Sequence, residues 1–226
     1  MYICDRKLFG AGYRELIGNY FESMGKASVV MIYPFVKSSS IVSNLNFPGD
    51  IDLLIIPYED NQLIVSKTLA IELKIIRAKF TKQAKSPNDF GFSQAIGLLK
   101  AGFPYVAVAH LIISDHSPKD YWREVGMAQV LNTDTGAAKW LGLSKKDMMP
   151  IDLMTRAYGR LKANCPNENI GLLASYIDKN NSGLWFPEGR AAQFNPESNI
   201  NTLEQITEFY YRNYENFIDT RKWPKD

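Results

Sequence analysis

This chain of 226 residues has only two cysteines and two histidines. Cys4 and Cys165 cannot make a disulfide framework, and no Cys/His group has the spacing of a zinc site. That excludes stapled secreted scaffolds and zinc modules. No apolar run approaches the roughly 20 residues that cross a bilayer, so no membrane partner is expected. Asp5, Arg6 and Lys7 stand where a signal peptide needs an apolar core. A reducing, cytoplasmic setting is the expectation. The net charge of +2 is close to neutral, so a nucleic-acid partner has to be met by local clusters rather than by the whole chain. Internal repeats, low-complexity tracts and linkers are also missing, and residues 1–226 read as one domain. With 46% hydrophobic and 22% charged residues, a sizeable core is available without staples.

What the chain does have is a distinctive stretch from Asp50 to Lys74. Pro48-Gly49-Asp50-Ile51-Asp52-Leu53-Leu54-Ile55-Ile56 and Leu69-Ala70-Ile71-Glu72-Leu73-Lys74-Ile75-Ile76 are apolar runs of strand length, separated by a break at Pro57 to Asn61. Near-continuous apolar runs suit strands covered on both faces of a sheet. Into them the sequence sets Asp52, Glu72 and Lys74. Buried charges are costly unless they are paired or bind a metal. Alternation along a strand puts Glu72 and Lys74 on one face, and pairing the two strands as a hairpin brings Asp52 to them. Two carboxylates and an ammonium at one place on a rigid sheet suit metal-assisted phosphodiester cleavage. The carboxylates would hold a divalent cation, and hard oxygen donors favour magnesium or manganese over zinc. Lys74 would orient or deprotonate the attacking water, or stabilise charge on a phosphorane-like transition state. A purely structural charge network is the plainer use of the same residues.

An aspartate, about twenty residues, then Glu-x-Lys on the next apolar strand resembles the PD-(D/E)xK nuclease superfamily. The runs PGDIDLLII and AIELKIIRA carry the resemblance, with Asp52 at the motif aspartate. It covers roughly residues 12–114. It implies an α/β fold with a mixed central β-sheet flanked by helices, restriction-endonuclease-like; beyond it, residues about 119–226 read as a more helical C-terminal part. It also implies a magnesium- or manganese-dependent nuclease whose metal is held by Asp52, Glu72 and Leu73. The implied partner is nucleic acid, DNA ahead of RNA. A homodimer would be natural for cutting both strands, although no residue shows one. Such nucleases often begin with a helix whose glutamate reaches the site. GYRELIGNYFESMG is similar, which makes Glu15 the carried-over position and Glu22 the second, although both fall opposite the apolar stripe. Several branches place a glutamine on the helix after the motif. Gln94 matches it, whereas Leu98 stands where a tyrosine is often found.

Arg77, Lys79, Lys82 and Lys85 come directly after the motif and could contact phosphates, with 79–90 as a substrate-gating loop. Helices are predicted over 13–24, 92–101, 119–126 and 152–162, and a last one carries Leu203, Ile206, Tyr210 and Phe217 with Thr202 as its cap. Strands are predicted over 28–36 and 104–114, and a strand or short helix over 170–177. Residues 133–136 read as a turn, 180–183 as a loop and 185–196 as irregular. Trp140 and Leu141 are expected to anchor the segment after the turn. His110 reads as a satisfied core histidine. The aromatics at 209, 210, 211 and 214 could stack on bases, but a core-facing helix is the commoner use. Two other functions compete. Asp50 and Asp52 also satisfy the paired-acid strand of nucleotidyltransferases. Those enzymes, however, place Gly-Ser or Gly-Gly about ten residues upstream, and no glycine lies between Gly25 and Gly49. A non-catalytic nucleic-acid-binding module of the same fold would have no physical reason to keep three buried charges.

Overall fold

The computed structural model describes residues 6–42, 49–178 and 186–221. The chain begins with α1 (Arg6–Ile17) and α2 (Asn19–Ser23). Strands β1 (Val29–Val36), β2 (Ile51–Glu59), β3 (Gln62–Leu63) and β4 (Leu69–Arg77) come next. Helix α3 (Phe92–Lys100) leads to β5 (Tyr105–Ile113), and β6 (Arg123–Asn132) with β7 (Ala137–Lys146) makes a hairpin. Then come α4 (Met149–Asn164), β8 (Gly171–Tyr176), β9 (Glu188–Arg190), α5 (Ile200–Asn213) and β10 (Ile218–Arg221). Eight strands form one mixed sheet in the order β10-β1-β2-β4-β5-β8-β9, with β3 beside β2. Strands β1, β2 and β4 run as an antiparallel meander, whereas β4, β5 and β8 are parallel. Helix α3 is the crossover that makes the β4–β5 pair parallel, as the strand–helix–strand order predicted.

Side-chain alternation divides the core in two. Odd-numbered residues of the central strands, among them Leu53, Ile55, Leu69 and Ile71, pack against Phe9, Tyr13 and Leu16 of α1. Even-numbered ones, including Leu54, Ala70 and Val108, pack against Ala95, Leu98 and Leu99 of α3 and Ile206 of α5. Further along that face, Ile76, Ile112 and Ala174 lie under Met149, Leu153 and Ala157 of α4. Glu72 and Lys74 are even-numbered and therefore project to the α3 and α4 side.

Several sequence expectations are corrected. The helix predicted over 13–24 is two helices, broken where Gly18 takes a φ of 55°. Pro57 does not end its strand. It sits in β2 opposite Val30, beyond the point where β4 begins at Ile55↔Leu69. The turn falls instead at Asp60 and Asn61, both with positive φ, as a tight hairpin requires. Residues 119–126 hold only a 3₁₀ turn at Lys119–Tyr121 before β6 starts. Cross-strand pairing with β7 overrides the short helical spacing there. Trp140 and Leu141 anchor nothing in the core, being 63% and 56% exposed. The cap of α5 is Asn199, whose Oδ1 accepts the Thr202 N–H at 3.0 Å, while the Thr202 hydroxyl donates to the Ala101 carbonyl. The part after residue 119 is not mainly helical: its described residues include five strands, of which β8, β9 and β10 complete the central sheet. The loop expected at 180–183 lies outside the described residues. No described helix is long and apolar enough to cross a membrane.

Candidate functional site

The β2–β4 ladder stops at Leu53↔Ile71, and its register continued by one step sets Asp52 opposite Glu72. A regular ladder would next pair Leu73 with Ile51. Instead the Leu73 N–H donates to Asp52 Oδ2 at 2.7 Å, so a side chain replaces the backbone partner. The N–H and C=O of one strand residue point the same way, so the Leu73 carbonyl faces the same gap. On the even face, Lys74 Nζ lies 2.8 Å from Glu72 Oε1. It also donates to Gln94 Oε1 at 3.4 Å and stands 4.0 Å from Asp89 Oδ2. The Gln94 amide lies on the backbone of Gly49, where a Cβ would come within 2.3 Å of its nitrogen. Gly91 is built the same way: at φ 89°, its missing Cβ would sit 2.7 Å from Glu72 Cγ. Asp52, Glu72, Leu73, Lys74 and Gln94 thus converge at the point where two strands part.

The electrostatics arise from burial. Glu72 is 3% exposed. Burial pushes its carboxyl up to about 7. The Lys74 hydrogen bond and charge oppose that rise, and the charge of Asp52 adds to it. For Lys74, burial works to lower the ammonium, but its hydrogen bond to Glu72 and the charges of Glu72, Asp89 and Asp52 outweigh it. The net shift is upward. Beside Lys74 in the β4–β5 register is His110, 1% exposed. Its Nε2 meets the Phe90 carbonyl at 3.4 Å, while Nδ1 is buried with no hydrogen-bond partner among the described residues. Burial pulls this imidazole down to about 4; the Phe90 carbonyl opposes the shift, and the charges of Arg160 and Lys74 assist it. His110 is a neutral core residue with one nitrogen unsatisfied.

Other expected site residues lie elsewhere. Glu15 is exposed on α1, which covers the opposite face of the sheet, and its Cβ adjoins Gly189 of β9. Glu22 pairs with Arg14 at 2.7 Å in solvent. Asp50 precedes β2 and is exposed. Arg77 is odd-numbered and points away from Lys74, lining a cavity of about 450 Å³ with Lys79, Ser114 and His116. Lys79, Lys82 and Lys85 are exposed on the loop after β4. That loop is tied down: the Phe80 N–H donates to Asp115, Arg156 to Gln83 Oε1 and Arg160 to the Lys85 carbonyl. Of the aromatics at 209–214, Phe209 is buried beside Tyr33 and Phe217, while Tyr211 and Tyr214 are exposed.

Sequence reasoning missed Asp89, Gly91, Arg156 and Arg160. The two arginines, four apart on a predicted helix, share a face, and that spacing was the available signal. Asp89 and Gly91 had none, because only the packed loop brings them to Glu72 and Lys74.

The donor set suits a hard cation. The Asp52 and Glu72 carboxyls are also within hydrogen-bonding reach of each other, at the break in the ladder to which the Leu73 carbonyl belongs. Magnesium characteristically takes one or two carboxylates and keeps several waters. No group of three His, Cys, Asp or Glu residues able to hold a metal occurs among the described residues, so backbone and water would complete the shell. Compared with known protein families, curated proteins and solved structures, the chain matches none.

Proposed function

We propose that this protein is a divalent-metal-dependent nuclease of the PD-(D/E)xK type, hydrolysing phosphodiester bonds in nucleic acid, DNA ahead of RNA. One observation carries the reading: Asp52, Glu72 and Lys74 of the two apolar strands, and Gln94, which the resemblance adds, meet where β2 and β4 separate. A structural ion pair needs neither a second carboxylate nor a glutamine against the same lysine. The helix, antiparallel meander, crossover helix and parallel strand also agree with a restriction-endonuclease-like core. A nucleotidyltransferase would use Asp50, which lies outside the strand.

Each side chain then has a task. Asp52 and Glu72, with the Leu73 carbonyl, hold magnesium or manganese. A metal bound there polarises the phosphate and activates water. Glu72, raised to about 7 without a cation, gives up its proton when it takes one. The Lys74 shift is upward, so near neutral pH it serves as a cation that stabilises phosphate charge and not as the base. Gln94 holds the ammonium in place, and Gly91 leaves room for the Glu72 stem. Lys79, Lys82 and Lys85 offer charges to the backbone of a bound strand.

The test is incubation with labelled single- and double-stranded DNA and RNA, with magnesium, manganese or chelator. Cleavage that needs metal and disappears in Asp52→Asn is expected. Calorimetric titration of manganese into wild type and Asp52→Ala supplies the second arm, and equal binding in the two would defeat the assignment.

A further inference from the structure

Helix α4 carries Arg156 and Arg160 one turn apart, roughly 6 Å along the helix axis. Both turn to the loop that follows β4. Arg156 donates from Nη2 to Gln83 Oε1 at 2.8 Å and from Nε to the Asp152 carbonyl at 3.0 Å. Arg160 donates from Nη2 to the Lys85 carbonyl at 2.8 Å. Every one of these acceptors is neutral. Among the described residues neither guanidinium has a carboxylate within ion-pairing distance. The Asp152 carboxylate is paired with Arg123, and that of Glu188 accepts the Thr155 hydroxyl.

Like charges four apart on a helix work against the fold. The cost shows at Arg160, where burial first and then the charge of Arg156 pull the guanidinium below its usual range. Fastening the loop does not call for that cost, since a neutral side-chain amide can donate to the same acceptors. A guanidinium has five N–H donors, and the loop engages only a minority of them. The position of the pair matters as much as its charge. Helix α4 covers the sheet face to which Glu72 and Lys74 project, and the charges of Arg160 and Lys74 both bear on His110. Exposed Lys79, Lys82 and Lys85 stand on the loop that the two arginines hold, and that loop returns to Lys74 at Asp89.

We propose that Arg156 and Arg160 clamp two phosphates of the nucleic-acid strand that leaves the Glu72–Lys74 site along α4. The clamp rests on the nuclease reading and adds to it the path of the substrate. The planar guanidinium fork matches phosphate oxygens in pairs, which an ammonium does not. Phosphates of one strand recur about every 3.4 Å of duplex axis, so two guanidiniums roughly 6 Å apart reach phosphates of the same backbone. The loop lysines continue the line of charge. A backbone with a charge at every step can follow such a line.

The experiment is fluorescence anisotropy of labelled duplex and single-stranded DNA with the full chain, in chelator to prevent cleavage, over a salt series. Combining Arg156→Gln with Arg160→Gln should flatten the slope of log affinity against log salt. Two lost contacts amount to about 1.8 on duplex or about 1.4 on a single strand. Lysine at both positions should keep the slope and weaken the affinity, because a point charge replaces the fork. A double-glutamine variant with the wild-type slope overturns the proposal, and a lowered melting temperature beside it makes the arginines loop fasteners only. If that variant does not fold, Arg156→Gln alone, at an exposed position, must flatten the slope by about half as much. Wild type that binds neither DNA also overturns the clamp. Failure of the nuclease reading looks different: the slopes differ as expected, but no metal-dependent cleavage is found. Conversely, metal-dependent cleavage with equal slopes removes the clamp alone.

Discussion

The cluster at Glu72 and the β6–β7 hairpin, an arm that carries Trp140, depart from the usual partition of residues in opposite directions. In the cluster, a carboxylate and an ammonium are set into a sheet whose neighbours are Ile, Leu and Val, and Glu72 retains 3% of its exposure. In the arm, a tryptophan and two aliphatic residues stand in water on a ribbon with little core of its own. Each arrangement has a cost: desolvation in the first, exposed apolar area in the second. Their supports differ. The cluster is held by β2, β4, α3 and the Gly91 turn together, so changes there are transmitted to charge and geometry. Among the described residues the arm is held at its root, so changes to its face should leave the rest of the fold alone. A site that demands fixed geometry is therefore better placed on the sheet than on the arm.

The largest expected effect tests whether the cluster is chemical. Lys74→Met keeps the stem and removes the charge. Cleavage should fall by about a hundredfold or more while metal and nucleic-acid binding persist, as measured by single-turnover rates and calorimetry. Failure of the variant to fold would instead make Lys74 a structural counter-ion to Asp52 and Glu72.

Next comes the pH dependence. Glu72 titrates near 7 in the folded state against 4.5 unfolded, so between those values the native state holds the extra proton. Its contribution to stability is full below 4.5 and is lost as the pH rises to about 7. The difference amounts to at most about 3 kcal/mol. Thermal melts from pH 4.5 to 8 in chelator should decline in wild type and decline less in Glu72→Gln. Manganese should recover the wild-type loss at pH 8. Parallel curves for the two proteins would remove the burial argument.

The cluster was legible in the sequence because two apolar runs carried the charges at a spacing of two, and strand alternation does not depend on tertiary detail. The sheet's mixed character was legible in the strand–helix–strand order of 69–113. The arm was not. Its segments at 119–132 and 137–146 lack a buried partner that would impose clean alternation, and the short apolar spacing near Tyr121 imitates a helix. Glu15 failed for a related reason: a helix can be read from its stripe, but the face of the sheet it covers depends on the connections. Arg156 and Arg160 reach loop residues more than seventy positions away, which local pattern cannot show.

A smaller effect is expected at Gly91. Alanine there is strained at φ 89° and meets Glu72 Cγ at 2.7 Å. Gly91→Ala should lower stability by about 1–3 kcal/mol, read from urea midpoints, and weaken manganese binding by displacing Glu72. Gly136→Ala in the arm shares a positive φ but meets nothing within 4 Å, so it isolates the backbone cost from the steric one.

The smallest effect lies on the arm's side of the comparison. Trp140 is the largest side chain on the exposed face, and 63% of it already touches water. Removing it from an isolated protomer forfeits little burial and opens no cavity. Trp140→Ser should change the unfolding free energy by no more than about 0.5 kcal/mol, the range of ordinary surface substitutions. Urea unfolding followed by far-ultraviolet circular dichroism measures the difference. A large loss would show that Trp140 supports the ribbon of its own chain, and the contrast between a braced cluster and an autonomous arm would then fail.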